Sequence, residues 1–174
     1  YEEVDKIRMS VSFEGTLAEF KHFLKTDPRF FPKTAEEIAE NFRSYIKGMS
    51  EKVDLYFLRK PKAPYGTERL NPELEATSTW GYYQGPTASN PKGIYYHNGS
   101  KPEERSKLEA ESLIYHELVP GHHFHGCLQS ENEDLPDFRR ETHFTAFSEG
   151  WAEYAAWLGI EMGLYKDPYS RCGL

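Results

Sequence analysis

The sequence has 174 residues, a length that suits one domain better than two. Its 28 acidic residues outnumber 21 Lys and Arg, for a net charge of −7, which argues against non-specific nucleic-acid binding because such binding needs a basic surface. Aromatic residues make up 15% of the chain and can form a core, and no run of about 18 apolar residues predicts a membrane-spanning helix.

The N-terminal part of the sequence predicts helices that carry no recognisable chemistry. Apolar side chains lie on one face of a predicted helix over residues 16–25. Thr34 and Glu37 form a capping-box pattern, which predicts a helix that continues to about Phe57. Residues 60–72 contain three prolines, so we expect a connector there.

The middle of the chain predicts short strands. Residues 77–84 are rich in Thr, Tyr and Trp, residues 93–97 form a second short strand candidate, and Gly, Pro and Asn residues separate the two. We therefore expect a small sheet or an irregular β-ribbon, whose tyrosines pack within it.

The C-terminal part predicts two more helices. Ser100 and Glu103 form another capping-box pattern, which predicts a helix that runs to about residue 119. The last helix is predicted over residues 138–163, where apolar side chains recur every three or four residues on one face: Phe144, Phe147, Trp151, Tyr154, Leu158 and Met162. The predicted class is mainly α with a small β-sheet (α+β), in one region with three parts: a helical scaffold (1–76), short strands (77–99) and metal-site helices (100–174).

Two features bear on the state of the chain. Two cysteines, Cys127 and Cys172, are too few for a disulfide framework. We therefore predict two free thiols, with one disulfide bridge as the alternative. The chain begins at Tyr1 and lacks a basic-then-apolar leader, which predicts a processed product or a piece of a longer protein.

Histidines are concentrated in one short segment. Four of the seven fall within residues 116–125, a density that packing does not explain. His116-Glu117 matches the start of the HExxH signature, in which two histidines one turn apart bind zinc and the glutamate is the general base. Position 120 is Pro where the signature needs His. Because Pro120 cannot donate to the His116 carbonyl and Gly121 loosens the backbone, we expect the helix to bulge or unwind here.

The bulge decides which histidine is the second ligand. A two-residue bulge brings His122 to the place of the second histidine in the signature. His123 has the direction of His116 on an undistorted helix but lies about 10.5 Å farther along its axis. We therefore favour His122 as the ligand, with His123 as the alternative ligand or a residue in the second coordination shell.

The third ligand is expected from the last helix. Glu149 and Glu153 lie one turn apart on a face with small residues, opposite the apolar face, so we expect both carboxylates to be buried. Glu149 is predicted to bind the metal and Glu153 to orient a ligating histidine. Glu117 is predicted to be the general base that takes a proton from water activated by Zn²⁺. The alternative for both Glu149 and Glu153 is an ordinary surface residue or ion-pair partner.

Two motifs resemble those of an uncharacterised bacterial family whose members are often described as lipoproteins of unknown function: His116-Glu117-x-x-Pro120-Gly121-His122-His123 and Phe147-x-Glu149-Gly150-Trp151-Ala152-x-Tyr154. The resemblance extends over most of the chain. That family is similar to the gluzincin side of the zincin metallopeptidases, which take a glutamate ligand from a later helix. The resemblance implies a zincin-like core, in a fragment of a larger helical domain, and an exported protein (periplasmic, lipoprotein or secreted).

The resemblance also implies where a substrate lies. In zincins a strand before the metal helix runs along the substrate, and residues 80–84 or 93–97 are the candidates for that strand. His143, Tyr95 and Tyr96 are the local candidates for contact with the substrate or the transition state.

These observations lead to one preferred function and two alternatives. The preferred function is a zinc-dependent peptidase in which metal-activated water attacks a peptide bond, with a peptide as the substrate. The alternatives are a metal-binding module without hydrolytic activity and a non-enzymatic interaction domain whose histidines are solvated or ion-paired.

Overall fold

A computed structural model describes residues 2–174 and confirms the α+β class. The helices are α1 (Glu2–Ser10), α2 (Leu17–Thr26), α3 (Ala35–Tyr56), α4 (Pro72–Glu75), α5 (Lys107–Glu117), α6 (His122–Ser130), α7 (Asp137–Glu141) and α8 (Thr145–Glu161). The strands are β1 (Tyr65–Arg69), β2 (Gly81–Gln84) and β3 (Gly93–His97), and short 3₁₀ helices occupy Pro28–Phe30, Pro102–Glu104 and Pro168–Gly173.

The N-terminal helices begin at side-chain caps, as the sequence predicts for α3. The Thr34 hydroxyl accepts a hydrogen bond from the Glu37 amide, but the Glu37 carboxylate accepts from the Lys33 amide, so only half of the predicted capping box forms. A complete capping box joins Thr16 and Glu19 at the start of α2. Each such cap stabilises its helix by about 1 kcal/mol.

The sheet has β3 at its centre, parallel to β1 and antiparallel to β2. The connector predicted over residues 60–72 is wrong in part, because β1 lies within it. Its three prolines all lie outside the strand, so the five strand residues keep the amides that pairing needs. The strand predicted over residues 77–84 forms only from Gly81 onwards, whereas the one predicted over 93–97 is confirmed.

The helix predicted to begin near Ser100 begins later. The Ser100 hydroxyl donates to the Asn98 side chain, and Lys101 has a left-handed backbone (φ 49°), which is incompatible with a helix. The capping box predicted for Ser100 and Glu103 is therefore wrong. Ser106 caps α5 by accepting from the Leu108 amide.

The long C-terminal helix predicted over residues 138–163 is divided into α7 and α8. The backbone is extended at Thr142 and Phe144. The Gln129 side-chain amide donates to the carbonyl oxygens of Arg139 and Thr142, and thereby satisfies groups that a continuing helix would have bonded.

The main core lies between α3, α5, α8 and one face of the sheet. Helix α8 packs there through small residues, because Ala152, Ala155 and Ala156 are buried and Gly159 leaves room for the rings of Tyr115 and Tyr165. The predicted apolar face of the last helix is accordingly wrong in its first half: Phe144, Phe147 and Tyr154 are 71%, 58% and 53% exposed, and Leu158 and Met162 are buried.

Two smaller findings complete the fold. Cys127 and Cys172 are both free thiols, as predicted. Among residues 2–174, no helix is both long enough and apolar enough to cross a bilayer.

Because His97, at the end of β3, is buried, we expect the fold to lose stability in acid. Its ring is 2% exposed, it bonds the Thr67 hydroxyl at 2.8 Å, and burial lowers its pKa to about 4. Because an unfolded histidine has a pKa of about 6.5, the unfolded state binds the proton first, and stability falls as the pH drops from about 6.5 to 4. We expect a loss of about 2–3 kcal/mol at His97 between pH 7.5 and 4.5, measured by urea unfolding.

The variant His97→Gln should flatten this pH dependence, because glutamine can bond Thr67 but does not titrate. The flattening will be partial, since burial also lowers the pKa values of His123 and His125. The exposed His22 on α2 provides the matched control, and His22→Gln should keep the wild-type profile. A profile that is equally steep in His97→Gln would contradict the prediction.

Candidate metal centre

The helix that carries His116 and Glu117 ends directly after them. Helix α5 stops at Glu117, α6 begins at His122, and the Val119–Pro120 peptide between them is cis. Gly121 passes so close to the preceding turn that a Cβ there would lie 1.7 Å from the His116 carbonyl oxygen. The predicted interruption is therefore present, and it places the His116 and His122 rings 4.7 Å apart between centroids.

Three side chains converge at this interruption. His116 Nε2 lies 3.3 Å from Glu149 Oε2, and His122 Nε2 lies 3.5 Å from Glu149 Oε1. One ligand atom from each of the three residues falls within 4.8 Å of the others. Ligand atoms about 2.0–2.1 Å from a tetrahedral zinc are about 3.3 Å apart. The His₂Glu donor set therefore fits Zn²⁺ in type, and both nitrogen–carboxylate distances are close to this spacing. Three protein ligands leave a fourth position open, as in catalytic zinc sites.

Each histidine turns its other nitrogen to a hydrogen-bonding partner. His116 Nδ1 lies 3.2 Å from Glu153 Oε1, and His122 Nδ1 lies 3.1 Å from the Ser148 hydroxyl. Such partners fix the ring and its tautomer so that Nε2 is available to a metal. Glu153 stands where its predicted orienting role requires it to be.

The carboxylates of α8 are more exposed than the sequence analysis predicts. The Glu149 and Glu153 side chains are 50% and 75% exposed, so the prediction of burial is wrong. Helix α8 packs against the core through its alanines and not through the predicted aromatic face. In this orientation both carboxylates face the open cleft beside the end of α5. Solvent can therefore reach the centre.

Glu117 stands next to the centre and is half-buried. Burial, together with the charge of Glu149, raises its pKa to about 7. A carboxyl group in this range can both accept and release a proton near neutral pH. Its predicted role as general base is compatible with this setting.

His123 lies away from the cluster. Its ring is fully buried, with Nε2 3.1 Å from the Ala63 carbonyl oxygen and Nδ1 3.0 Å from the Tyr83 hydroxyl. Both ring nitrogens are therefore engaged elsewhere. The structure brings His122, and not His123, to His116 and Glu149.

The predicted substrate contacts lie in different places. Tyr95 is fully buried in the main core with its ring 5.4 Å from that of Phe42, so it cannot contact a substrate from this position. Tyr96 lies on the other face of β3, and its ring is 5.5 Å from that of Tyr82. His143 is exposed, and its charge contributes to lowering the pKa of His122, after larger effects of burial and His116. Of the three, His143 is exposed and close enough to His122 to affect its charge, whereas Tyr95 interacts electrostatically with Glu117 but is buried.

The two candidate substrate strands also differ. β3 is paired on both sides and cannot be an edge strand. β2 has β3 as its one partner among the strands of the described chain, so its outer edge is open. Trp80, just before β2, lines a cavity together with His116 and Glu153.

Two residues beside the centre, Ser148 and His125, were not predicted from the sequence. The Ser148 hydroxyl lies 3.1 Å from His125 Nε2 as well as 3.1 Å from His122 Nδ1. A signal was available, since His125 follows His122 by three residues on one helix face and Ser148 directly precedes Glu149.

Comparison with known proteins gives a family and a structural relative. Residues 1–174 match the family described as "Bacterial protein of unknown function (DUF885)". The crystal structure of "the putative lipoprotein from Colwellia psychrerythraea" is similar to this chain, with a TM-score of 0.89 and 28% sequence identity. The match covers 98% of this chain and 30% of that one, so this chain spans less than a third of the length of that relative. No curated protein matches the sequence.

Proposed function

We propose that this chain, which belongs to the bacterial DUF885 family, is the metal-binding part of a zinc-dependent peptidase. The observation that supports the proposal is the convergence of His116, His122 and Glu149 at ligand spacing, with Glu117 beside them. Three protein ligands and an open fourth position are typical of catalytic zinc sites, whereas structural sites are closed by four.

Each residue has a defined role in this proposal. His116, His122 and Glu149 hold Zn²⁺, which lowers the pKa of water towards 7 and polarises a carbonyl group. Glu117 takes the proton from the attacking water and returns it to the leaving amine. Glu153 keeps the His116 ring in the ligating orientation through its contact with Nδ1.

The surroundings of the centre favour a peptide over an anionic substrate. The cavity beside His116 is lined by Glu109 and Glu153 and by no Lys or Arg, which disfavours phosphate esters. This cavity, of about 240 Å³, is lined partly by Trp80 and Leu113. A second, of about 550 Å³, has mainly apolar walls that include Phe147, whose ring lies 5.7 Å from that of His125. The first cavity borders the centre, and the second lies farther away, since none of its lining residues belongs to the centre. Their apolar walls suit the side chains of an extended peptide.

The setting of the enzyme is part of the same proposal. The relative from Colwellia psychrerythraea is described as a lipoprotein, which is consistent with an exported protein. We propose that this chain, too, acts outside the cytoplasm on peptides.

Metal removal tests the proposal. We expect the protein to hydrolyse members of a peptide library, 1,10-phenanthroline to abolish this activity, and stoichiometric Zn²⁺ to restore it, because nitrogen and carboxylate ligands in a tetrahedral set suit zinc. Mg²⁺ should not restore it, because it requires octahedral oxygen ligands.

The other outcomes separate the alternatives. Hydrolysis that survives complete metal removal would contradict a metallopeptidase. Zinc uptake without hydrolysis of any peptide would favour a metal-binding module, and a folded protein with neither property would favour an interaction domain.

A further inference from the structure

We infer that Ser148 and His125 form a hydrogen-bonded relay that determines which nitrogen of His122 carries the proton, and thereby whether Nε2 is free to bind a metal. The inference rests on the proposed metal centre. It makes Ser148 and His125 positioning residues, since neither contacts the ligand atoms of the cluster.

The relay is built around one buried hydroxyl. Ser148 is 2% exposed, and its Oγ lies 3.1 Å from His122 Nδ1 and 3.1 Å from His125 Nε2. A serine within a helix often donates to the carbonyl one turn back, as Ser50 does to Ile46. Within residues 2–174, both hydrogen-bonding partners of the Ser148 hydroxyl are instead histidines.

A hydroxyl has a single proton, so the relay has two possible directions. In the first, His122 Nδ1–H donates to Ser148, and Ser148 donates to His125 Nε2. The lone pair of His122 Nε2 then faces Glu149 and can bind a metal. In the second, His125 Nε2–H donates to Ser148, Ser148 donates to His122 Nδ1, and His122 Nε2 carries a proton that blocks ligation.

A second observation concerns the far end of the relay. His125 Nδ1 is buried and has no hydrogen-bonding partner in the described part of the chain. In the first direction, which leaves His122 Nε2 free for a metal, this atom is an unpaired donor, and in the second it is an unpaired acceptor. The atom is thus free of any bond that would fix the His125 tautomer, and the tautomer is decided at Nε2 by Ser148.

The relay needs a neutral His125 ring, because a doubly protonated ring has no acceptor nitrogen for the Ser148 proton. The geometry provides for such an acceptor, since His125 Nε2 lies 3.1 Å from the Ser148 hydroxyl. A neutral ring has one donor and one acceptor nitrogen, and its acceptor can take the Ser148 proton. Without that acceptor, the Ser148 proton is free to go to His122 Nδ1 and oppose metal binding.

Zinc affinity, measured by competition with a chromogenic chelator, tests the relay. We expect Ser148→Ala to weaken zinc binding about 10- to 100-fold, the range for partners of metal-bound histidines, and Ser148→Thr to restore most of the affinity by retaining the hydroxyl. His125→Phe keeps the packing against Phe147 and should also weaken binding. Because His125 acts through Ser148, the double variant should be no weaker than Ser148→Ala within about threefold.

A matched control and a direct readout complete the test. The exposed Ser130 on α6 is not part of the relay, so Ser130→Ala should keep the wild-type affinity. Nitrogen-15 NMR of the zinc-loaded wild type should show His125 protonated at Nδ1 and unprotonated at Nε2. Thermal unfolding of each metal-free variant separates these effects from loss of the fold.

Three results would overturn the inference. They are unchanged zinc affinity in folded Ser148→Ala, fully additive losses in the double variant, and a zinc-loaded His125 that carries its proton on Nε2. Failure of the proposed metal centre is distinguishable, because the wild type itself would then bind no zinc, and the relay would fall with it.

Discussion

Glu117→Gln should retain its bound zinc and lose peptide hydrolysis by about 10²- to 10⁴-fold, the usual contribution of a general acid–base group. Glutamine has the shape of glutamate but cannot take a proton from water. The measurement is kcat on the best library peptide, with zinc content determined on the same samples.

Two further measurements separate this effect from damage to the fold. Burial raises the pKa of Glu117 to about 7, so a neutral side chain is well tolerated there, and we expect no loss of thermal stability. The exposed Glu161 at the end of α8 offers a matched control, and Glu161→Gln should keep full activity. If Glu117→Gln hydrolyses peptides within tenfold of the wild type, another group is the base.

Adjacent histidines should behave in opposite ways. His122→Ala removes a ligand of the proposed centre, and we expect it to lose stoichiometric zinc while its metal-free stability changes by less than about 1 kcal/mol. His123→Ala removes a fully buried ring, together with its bonds to the Ala63 carbonyl and the Tyr83 hydroxyl. It should cost about 2–4 kcal/mol of stability but keep zinc at low temperature.

Isothermal titration with zinc and urea unfolding of the metal-free proteins measure this contrast. The two variants control for one another, because they are neighbours on α6 and lose the same side chain. Zinc loss in a folded His123→Ala, with retention in His122→Ala, would reverse the assignment of the ligand.

The metal-site residues were more predictable than the elements that carry them. Pro120 and Gly121 indicate an interruption because their effects on the backbone are local. The position of His122 beside His116 follows from that interruption, and the structure shows it. The capping box at Ser100 failed because the Ser100 hydroxyl donates to the side chain of Asn98, which distant backbone carbonyls hold in place, and because Lys101 is left-handed.

The prediction of a buried apolar face on the last helix was wrong for a different reason. Aromatic spacing alone suggests that Phe144 and Phe147 are buried, but α8 packs through alanines, because small residues allow α5 to approach closely. This orientation of α8 also exposes Glu149 and Glu153. Which face of a helix packs depends on its neighbours, and a single sequence does not contain that information. Ser148 and His125 were missed because their contact joins two helices.

Metal content of the purified wild-type protein, measured by elemental mass spectrometry after zinc is supplied and excess removed, tests the metal centre most directly. We expect one zinc per chain in the wild type and in Glu161→Gln, and none in His116→Ala or Glu149→Ala. A wild type that is well folded by circular dichroism yet holds no zinc would contradict the centre, and with it the proposed peptidase.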